Sequence, residues 1–148
     1  MAQVDEFYLP DDLYYDQKEH IWAKLEEDGR VRVGLDQFGQ KAAGTVAYVK
    51  LMPVGKVVAK GRSFGSLEAG KYIGPLKAPV SGKIVEVNNQ VLANPKSVNS
   101  DPYGEAWFII MEPSNLAEDL ASLLHGPDIQ MWLESEVKDY RDKGVLKE

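Results

Sequence analysis

The sequence predicts a mainly β fold: a compact sandwich or barrel with a short internal helix and two helices at its C-terminal end. Three observations carry this. Short β-rich runs lie close together between glycines and prolines over the first two thirds of the chain, the spacing turns helical after residue 113, and the β part holds a weak internal repeat. Runs so short and so close exclude βαβ units, which need about ten or more residues of crossover between strands.

In chain order, strands are expected at 21–25, 31–35, 45–51, 56–59, 64–68, 83–88 and 107–111. Asp28-Gly29, between the first two, is a tight hairpin signal because this pair tolerates the positive φ that a two-residue turn demands. Residues 36–43 read as the one helical interruption of the β part. Beyond it, Ser114 is placed to cap a helix whose Leu116, Leu120, Leu123 and Leu124 share a face. His125-Gly126-Pro127 then ends that helix and starts another, since glycine suits a C-terminal cap and proline a first turn. Ile129, Trp132, Leu133 and Val137 form the apolar stripe of this second helix, ahead of a charged tail from Lys138 to Glu148. The chain thus reads as one domain over 1–148, with a β core at about 5–112 and a helical part at about 114–143.

The repeat aligns Gly44-Thr-Val-Ala-Tyr-Val with Gly82-Lys-Ile-Val-Glu-Val, about 38 residues apart, matching Val46 to Ile84 and Val49 to Val87. Each copy carries a later turn glycine, Gly65 and Gly104. Two copies cannot build a solenoid, so the pattern implies two β segments paired in quasi-twofold fashion.

Composition narrows the chemistry. The 148 residues include 17 Lys and Arg against 23 Asp and Glu, a net charge of −6, with 44% hydrophobic residues and no cysteine. Without cysteine there is no disulfide framework, thiolate nucleophile or zinc knuckle, and any redox or thioester chemistry must use sulfur that the amino acids do not supply. The acidic balance disfavours nucleic acid and anionic membranes, both of which need clustered Lys and Arg. A steered approach to basic partner sites fits it better. No basic-then-apolar leader and no run of about 18 apolar residues is present, so the expectation is a cytoplasmic protein.

One lysine stands out at the junction of the repeat. In Glu68-Ala-Gly-Lys71-Tyr-Ile-Gly-Pro75, Gly70 on one side and Gly74-Pro75 on the other supply turn geometry that lifts Lys71 off the surface. A lysine in a turn is most often only a solvated charge. Its place between the two β segments sets this one apart.

The stretch Gly65-Ser-Leu-Glu68-Ala-Gly-Lys71, followed by Ala78-Pro-Val-Ser-Gly82-Lys-Ile-Val-Glu-Val-Asn88, resembles the lipoyl-lysine hairpin of the glycine cleavage H protein family. The likeness continues through Lys18-Glu-His-Ile-Trp22, Val33-Gly-Leu-Asp-Gln-Phe-Gly-Gln40 and Val98-Asn-Ser-Asp-Pro-Tyr-Gly-Glu-Ala-Trp107, over roughly residues 14–135. The resemblance implies a lipoyl-type hammerhead, a flattened β-barrel or sandwich of two quasi-symmetric sheets. It also implies lipoic acid joined by an amide to Lys71, and a non-catalytic swinging-arm carrier. Glu68, Gly70 and Gly82 would be cues by which a lipoate–protein ligase or lipoyl-assembly enzymes recognise the hairpin. A biotinyl domain shares the architecture, but its lysine is flanked by methionines, whereas Gly70 and Tyr72 flank Lys71.

Two departures bear on the cargo. The family places a glutamate just after the histidine of its His-Glu-Trp motif and an aspartate four residues after the lysine, carboxylates suited to a cationic aminomethyl group. Ile21 and Pro75 stand there. The segment from Glu68 to Lys77 also resembles the lipoate-binding proteins of sulfur oxidisers. That likeness implies sulfur intermediates carried for a heterodisulfide-reductase-like complex. The alternative is the glycine cleavage role itself, with glycine decarboxylase and aminomethyltransferase as partners; dihydrolipoamide dehydrogenase is an implied partner in either case. A second alternative is an unmodified interaction domain of the same fold.

Other residues read as structural. His20 and His125 lack a third metal ligand in any defined pattern, and His20 is expected to pack beside Trp22. Glu26-Glu27-Asp28 and Asp11-Asp12 read as solvated turns, Ser81 has no histidine to activate it, and Met131 and Trp132 read as helix-packing residues. Tyr72 and Ile73, apolar beside the lysine, are candidates for contact with a partner.

Overall fold

The computed structural model describes residues 2–143. Three short strands open the chain: β1 (Ala2–Val4) and β2 (Phe7–Leu9) pair with each other, and β3 (Tyr14–Asp16) leads into the main sheet. Then come β4 (Ile21–Leu25), β5 (Val31–Leu35), α1 (Gln37–Ala43), β6 (Val46–Leu51), β7 (Val57–Val58), β8 (Ser63–Ala69), β9 (Ile73–Lys77) and β10 (Gly82–Val87). The order closes with α2 (Asn89–Ala93), α3 (Ser97–Ser100), β11 (Ile109–Pro113), α4 (Leu116–Ala121) and α5 (Asp128–Asp142).

An antiparallel six-stranded sheet, ordered β3-β4-β5-β11-β10-β7, packs against a three-stranded sheet, β6-β8-β9. Alternation along the strands builds the core between them. Val31, Val33, Ile84, Ile109 and Met111 of the large sheet meet Val46, Val49, Phe64, Leu67 and Leu76 of the small one, all buried. The opposite face of the large sheet is covered as well. Tyr15 and Trp22 point that way, into a second cluster with Phe7, Leu9, Phe38 and the α5 residues Ile129, Leu133 and Val137. Within β4, Ile21 and Ala23 face one core and Trp22 the other. The large sheet is therefore the middle layer, and each large side chain it buries stabilises the fold by ~1.5–3 kcal/mol.

The two-sheet sandwich agrees with the sequence expectation; of the two forms it allowed, the barrel is not the one taken, and the strands of the sandwich divide into sheets of six and three. The two repeat copies enter different sheets, β6 the small and β10 the large, with Val46 and Ile84 both in the shared core. Gly65 is not a turn residue: it lies inside β8, where a Cβ would sit 2.2 Å from the Lys50 carbonyl oxygen of the neighbouring strand. The hairpin after β4 uses a three-residue loop, 27–29, closed by the Glu26 amide on the Arg30 carbonyl, with only Gly29 at positive φ, +87°. The β part holds three helices rather than one. Helix α4 starts after Asn115 instead of Ser114 and ends before Leu123 and Leu124. Leu124 instead forms a backbone bridge to Tyr15. Met131 is 72% exposed and does not pack. The tail read from Lys138 is helical as far as Asp142, and its end, 144–148, lies outside the described residues. Among the described residues no helix is long and apolar enough to cross a membrane.

Trp22 pairs across the strands with Gly34, and its indole occupies the space a side chain there would need: a Cβ would lie 2.4 Å from the ring. The indole N–H donates to the Pro102 carbonyl at 3.1 Å, so the ring cannot turn aside without losing that bond. Gly34→Ala is expected to lower stability by ~1–3 kcal/mol through overpacking. Urea denaturation followed by tryptophan fluorescence reads the loss.

Candidate functional site

Lys71 is exposed in the Gly70-Lys71 connection between β8 and β9. The Ala69 amide donates to the Tyr72 carbonyl at 2.8 Å, making the connection tight. Two further bonds dock it on the rest of the molecule. The Lys71 amide donates to the Ala43 carbonyl at 2.7 Å, and the Gly70 amide to the Thr45 carbonyl at 3.1 Å. Gly44, between those acceptors, ends α1 at φ +89°, a left-handed conformation that glycine adopts without strain. Its neighbourhood is fixed by Asn99 of α3. The side-chain oxygen of Asn99 accepts from the Val46 amide at 2.8 Å, and its amino group donates to the Gly44 carbonyl at 2.9 Å and to Gln40 Oε1 at 2.7 Å. Asn99 lies in a stretch the sequence marked only by resemblance; its clamping role emerges from the fold.

Beside the lysine runs a groove of about 260 Å³. Ile21, Leu35, Ala43, Leu67 and Leu76 give it apolar walls, and Lys18, Glu19, Lys71, Tyr72 and Lys77 also line it. Ile21 and Pro75 do stand at the groove where the resemblance expects carboxylates, but Glu19 brings a carboxylate there that the sequence reading missed. Its charge reaches Tyr72, whose phenol is held above the usual value by burial and then by Glu19.

His20 explains how Glu19 comes to be there. His20 takes a left-handed φ of +60°, rare for a residue with a side chain, and its amide donates to the Asp16 carbonyl at 2.9 Å, turning the chain back before β4. The imidazole stacks on Phe38 and Trp132, with ring centroids 4.8 Å away in each case, not on Trp22 as expected. Nδ1 meets Asp36 Oδ2 at 2.9 Å and Nε2 meets Glu136 Oε1 at 2.5 Å. Burial opposes a charge on the ring, but Asp36 and Glu136 together outweigh it and push the pKa up to about 10. The same Asp36 caps α1 through Oδ1, which accepts from the Gly39 amide at 2.7 Å. One imidazolium thus joins the groove wall, α1 and α5.

The hairpin brings Glu68, Gly70 and Lys71 together. Glu68 is exposed in β8, flanked across the strands by Tyr48 and Ile73. Gly82 lies apart from them, in β10 of the other sheet, paired with Pro113 and Val58. A Cβ on Gly82 would fall 2.3 Å from the Glu112 carbonyl oxygen, so close approach of β11 accounts for the glycine.

Stability held by His20 is full below its ordinary value of 6.5 and is lost as pH rises toward about 10. The loss is expected at up to ~1.4 kcal/mol per pH unit in that window. His20→Gln should flatten the slope, which urea denaturation across the window measures. Asn99→Ala leaves the Val46 amide unpaired and should cost ~1–3 kcal/mol. It should also speed amide hydrogen exchange at Gly70 and Lys71, read by NMR.

A sequence profile of the glycine cleavage H-protein matches residues 13–136. "Glycine cleavage system H protein 2" of Aquifex aeolicus is 42% identical over 132 residues, covering 86% of this chain and 82% of that protein. A "probable glycine cleavage system H protein" of Pyrococcus abyssi is 42% identical over 135 residues, covering 91% and 99%. Among solved structures, a glycine cleavage system H protein from Mycobacterium marinum superposes with a TM-score of 0.68 at 33% identity, covering 76% of this chain and 97% of that one.

Proposed function

The chain belongs to the glycine cleavage H-protein family, and from that premise we propose that it carries a lipoyl group on Lys71 and shuttles the aminomethyl cargo of glycine cleavage between enzymes. The observation that carries the attachment site is the docked turn: one hydrogen bond from the Lys71 amide and one from the Gly70 amide hold its backbone, while the lysine is exposed beside an apolar groove. A primary amine on a long, flexible stem suits both a stable amide and a mobile arm. When bound, the lipoyl group supplies a dithiol–disulfide pair at the end of that arm. Its hydrocarbon chain and ring match walls made by Ile21, Leu35, Leu67 and Leu76. The chain itself then binds and orients rather than catalyses. Lipoyl-assembly enzymes or a lipoate–protein ligase would load it in the cytoplasm, with Glu68 and Gly70 as recognition cues. Glycine decarboxylase, aminomethyltransferase and dihydrolipoamide dehydrogenase would be its partners.

Glu19 favours this cargo, because it offers an ammonium group a carboxylate at the groove. One observation favours a second reading, in which the cargo is a sulfur intermediate for a heterodisulfide-reductase-like complex. Ile21 and Pro75 leave the groove without two of the anions an amine would use, and amidation of Lys71 would leave Lys18 and Lys77 facing Glu19, a balance that suits an anion better.

Protein made with a lipoate ligase is expected to gain one lipoyl mass, and Lys71→Arg to gain none, in intact-mass spectra. The loaded wild type should support glycine–bicarbonate exchange by glycine decarboxylase. A loaded protein that supports no exchange, yet takes up sulfane sulfur, establishes the second reading. An adduct that persists in Lys71→Arg overturns the attachment site.

A further inference from the structure

We propose that Tyr72 is a positioning residue for the arm: its ring closes one side of the groove and shelters the sulfur end of the lipoyl group from solvent. The inference rests on lipoylation of Lys71 and adds to it a residue that holds the arm.

Tyr72 follows the lysine, and its side chain, though exposed, is tied back to the chain. Its hydroxyl donates to the Pro75 carbonyl at 3.1 Å, which bends the ring back along β9. Gly74 makes room for this: a Cβ there would lie 2.6 Å from the Tyr72 hydroxyl and 2.8 Å from Cζ. The φ of Gly74 is not one that demands glycine, and a side chain there would have to displace the ring. Tyr72 is 41% exposed, and the covered remainder joins the groove lining with Ile21, Leu67 and Leu76. Burial, and then the charge of Glu19, which lines the same groove, hold the phenol above its usual value. Tyr140 of α5 lines the groove as well, its ring fixed edge-on to Phe38 at 4.8 Å.

A soft, polarisable sulfur is well placed against an aromatic ring. An arm resting there exchanges between a docked and a free state, and reagents in solution reach its thiols only in the free one. The rate of thiol modification therefore reports the docked population. The chain has no cysteine, so every thiol signal belongs to the arm.

The test compares lipoylated wild type, Tyr72→Ala, Tyr72→Phe and Gly74→Ala, each confirmed by intact mass and by thermal unfolding, then reduced and reacted with dithiobis(nitrobenzoate). Tyr72→Ala is expected to react about two- to tenfold faster than wild type, the range set by losing one sulfur–aromatic contact. Tyr72→Phe, which keeps the ring, should stay closer to wild type than Tyr72→Ala. Gly74→Ala, which keeps Tyr72 but displaces it, should also react faster, and it carries the test if Tyr72→Ala is poorly loaded. Equal rates in wild type, Tyr72→Ala and Gly74→Ala overturn the role of Tyr72 and leave the carrier reading standing. A wild type that takes no lipoyl mass on Lys71 overturns the carrier reading and this inference with it.

Discussion

The hydrogen bonds from the Lys71 and Gly70 amides to the carbonyls of Ala43 and Thr45 are the constraint on which the site depends. A lysine at a free hairpin tip would sweep a wide volume. Here two consecutive amides are bonded to the rest of the molecule, so the side chain starts from an anchored point beside the groove. The acceptors are well placed because Gly44 turns left-handed between them and Asn99 holds the backbone that leaves that turn, at the Gly44 carbonyl and the Val46 amide. A contact between the two halves of the chain thus fixes where Lys71, on the first half, sits.

The groove follows from the layering. The large sheet is buried on both faces, and so β4 sends Ile21 toward the inter-sheet core and Trp22 toward the helices. Ile21 also lines the groove, while His20 just before it reaches across to Glu136 of α5. Groove wall and C-terminal helix are thereby joined through a buried charge that holds its proton because two carboxylates share it. Removing one partner of such a cluster costs more than the pair contributes, since a charge is left buried without compensation. The helix is part of the site's support even though, of its residues, only Tyr140 lines the groove.

Much of this was legible in the residues, and what was not has physical reasons. Strands β4 and β5 were readable to the residue because five consecutive positions in each carry β-forming or alternating side chains between clear breaks. Lys71 was readable from its frame of glycines and proline. Strand β9 was hidden by the same frame: Ile73-Gly-Pro-Leu-Lys looks like a turn, yet Pro75 is tolerated because β9 lies at the edge of its sheet, where an absent amide breaks no ladder. Helices α2 and α3, five and four residues long, are too short to show a helical period. Glu19 was missed for a subtler reason. The resemblance points to carboxylates at positions 21 and 75, and nothing in the composition indicates that His20 adopts a left-handed turn that carries its predecessor to the groove.

That turn bears on cargo. An ammonium group needs a carboxylate near the end of the arm, and no rule requires it to come from one sequence position. Ile21 and Pro75 enlarge the apolar part of the groove, while Glu19 keeps one negative charge there against Lys18 and Lys77. In a partly open groove such charges are screened and each is worth little alone. Discrimination between an ammonium and an anionic cargo would then rest on the balance among these three side chains and on how far a docked arm excluded water, to which the ring of Tyr72 would add. The missing cysteine belongs to the same logic. The only thiols in the loaded protein would be those on the arm, so the groove and its aromatic wall, rather than a competing thiol of the chain, would control what reaches them.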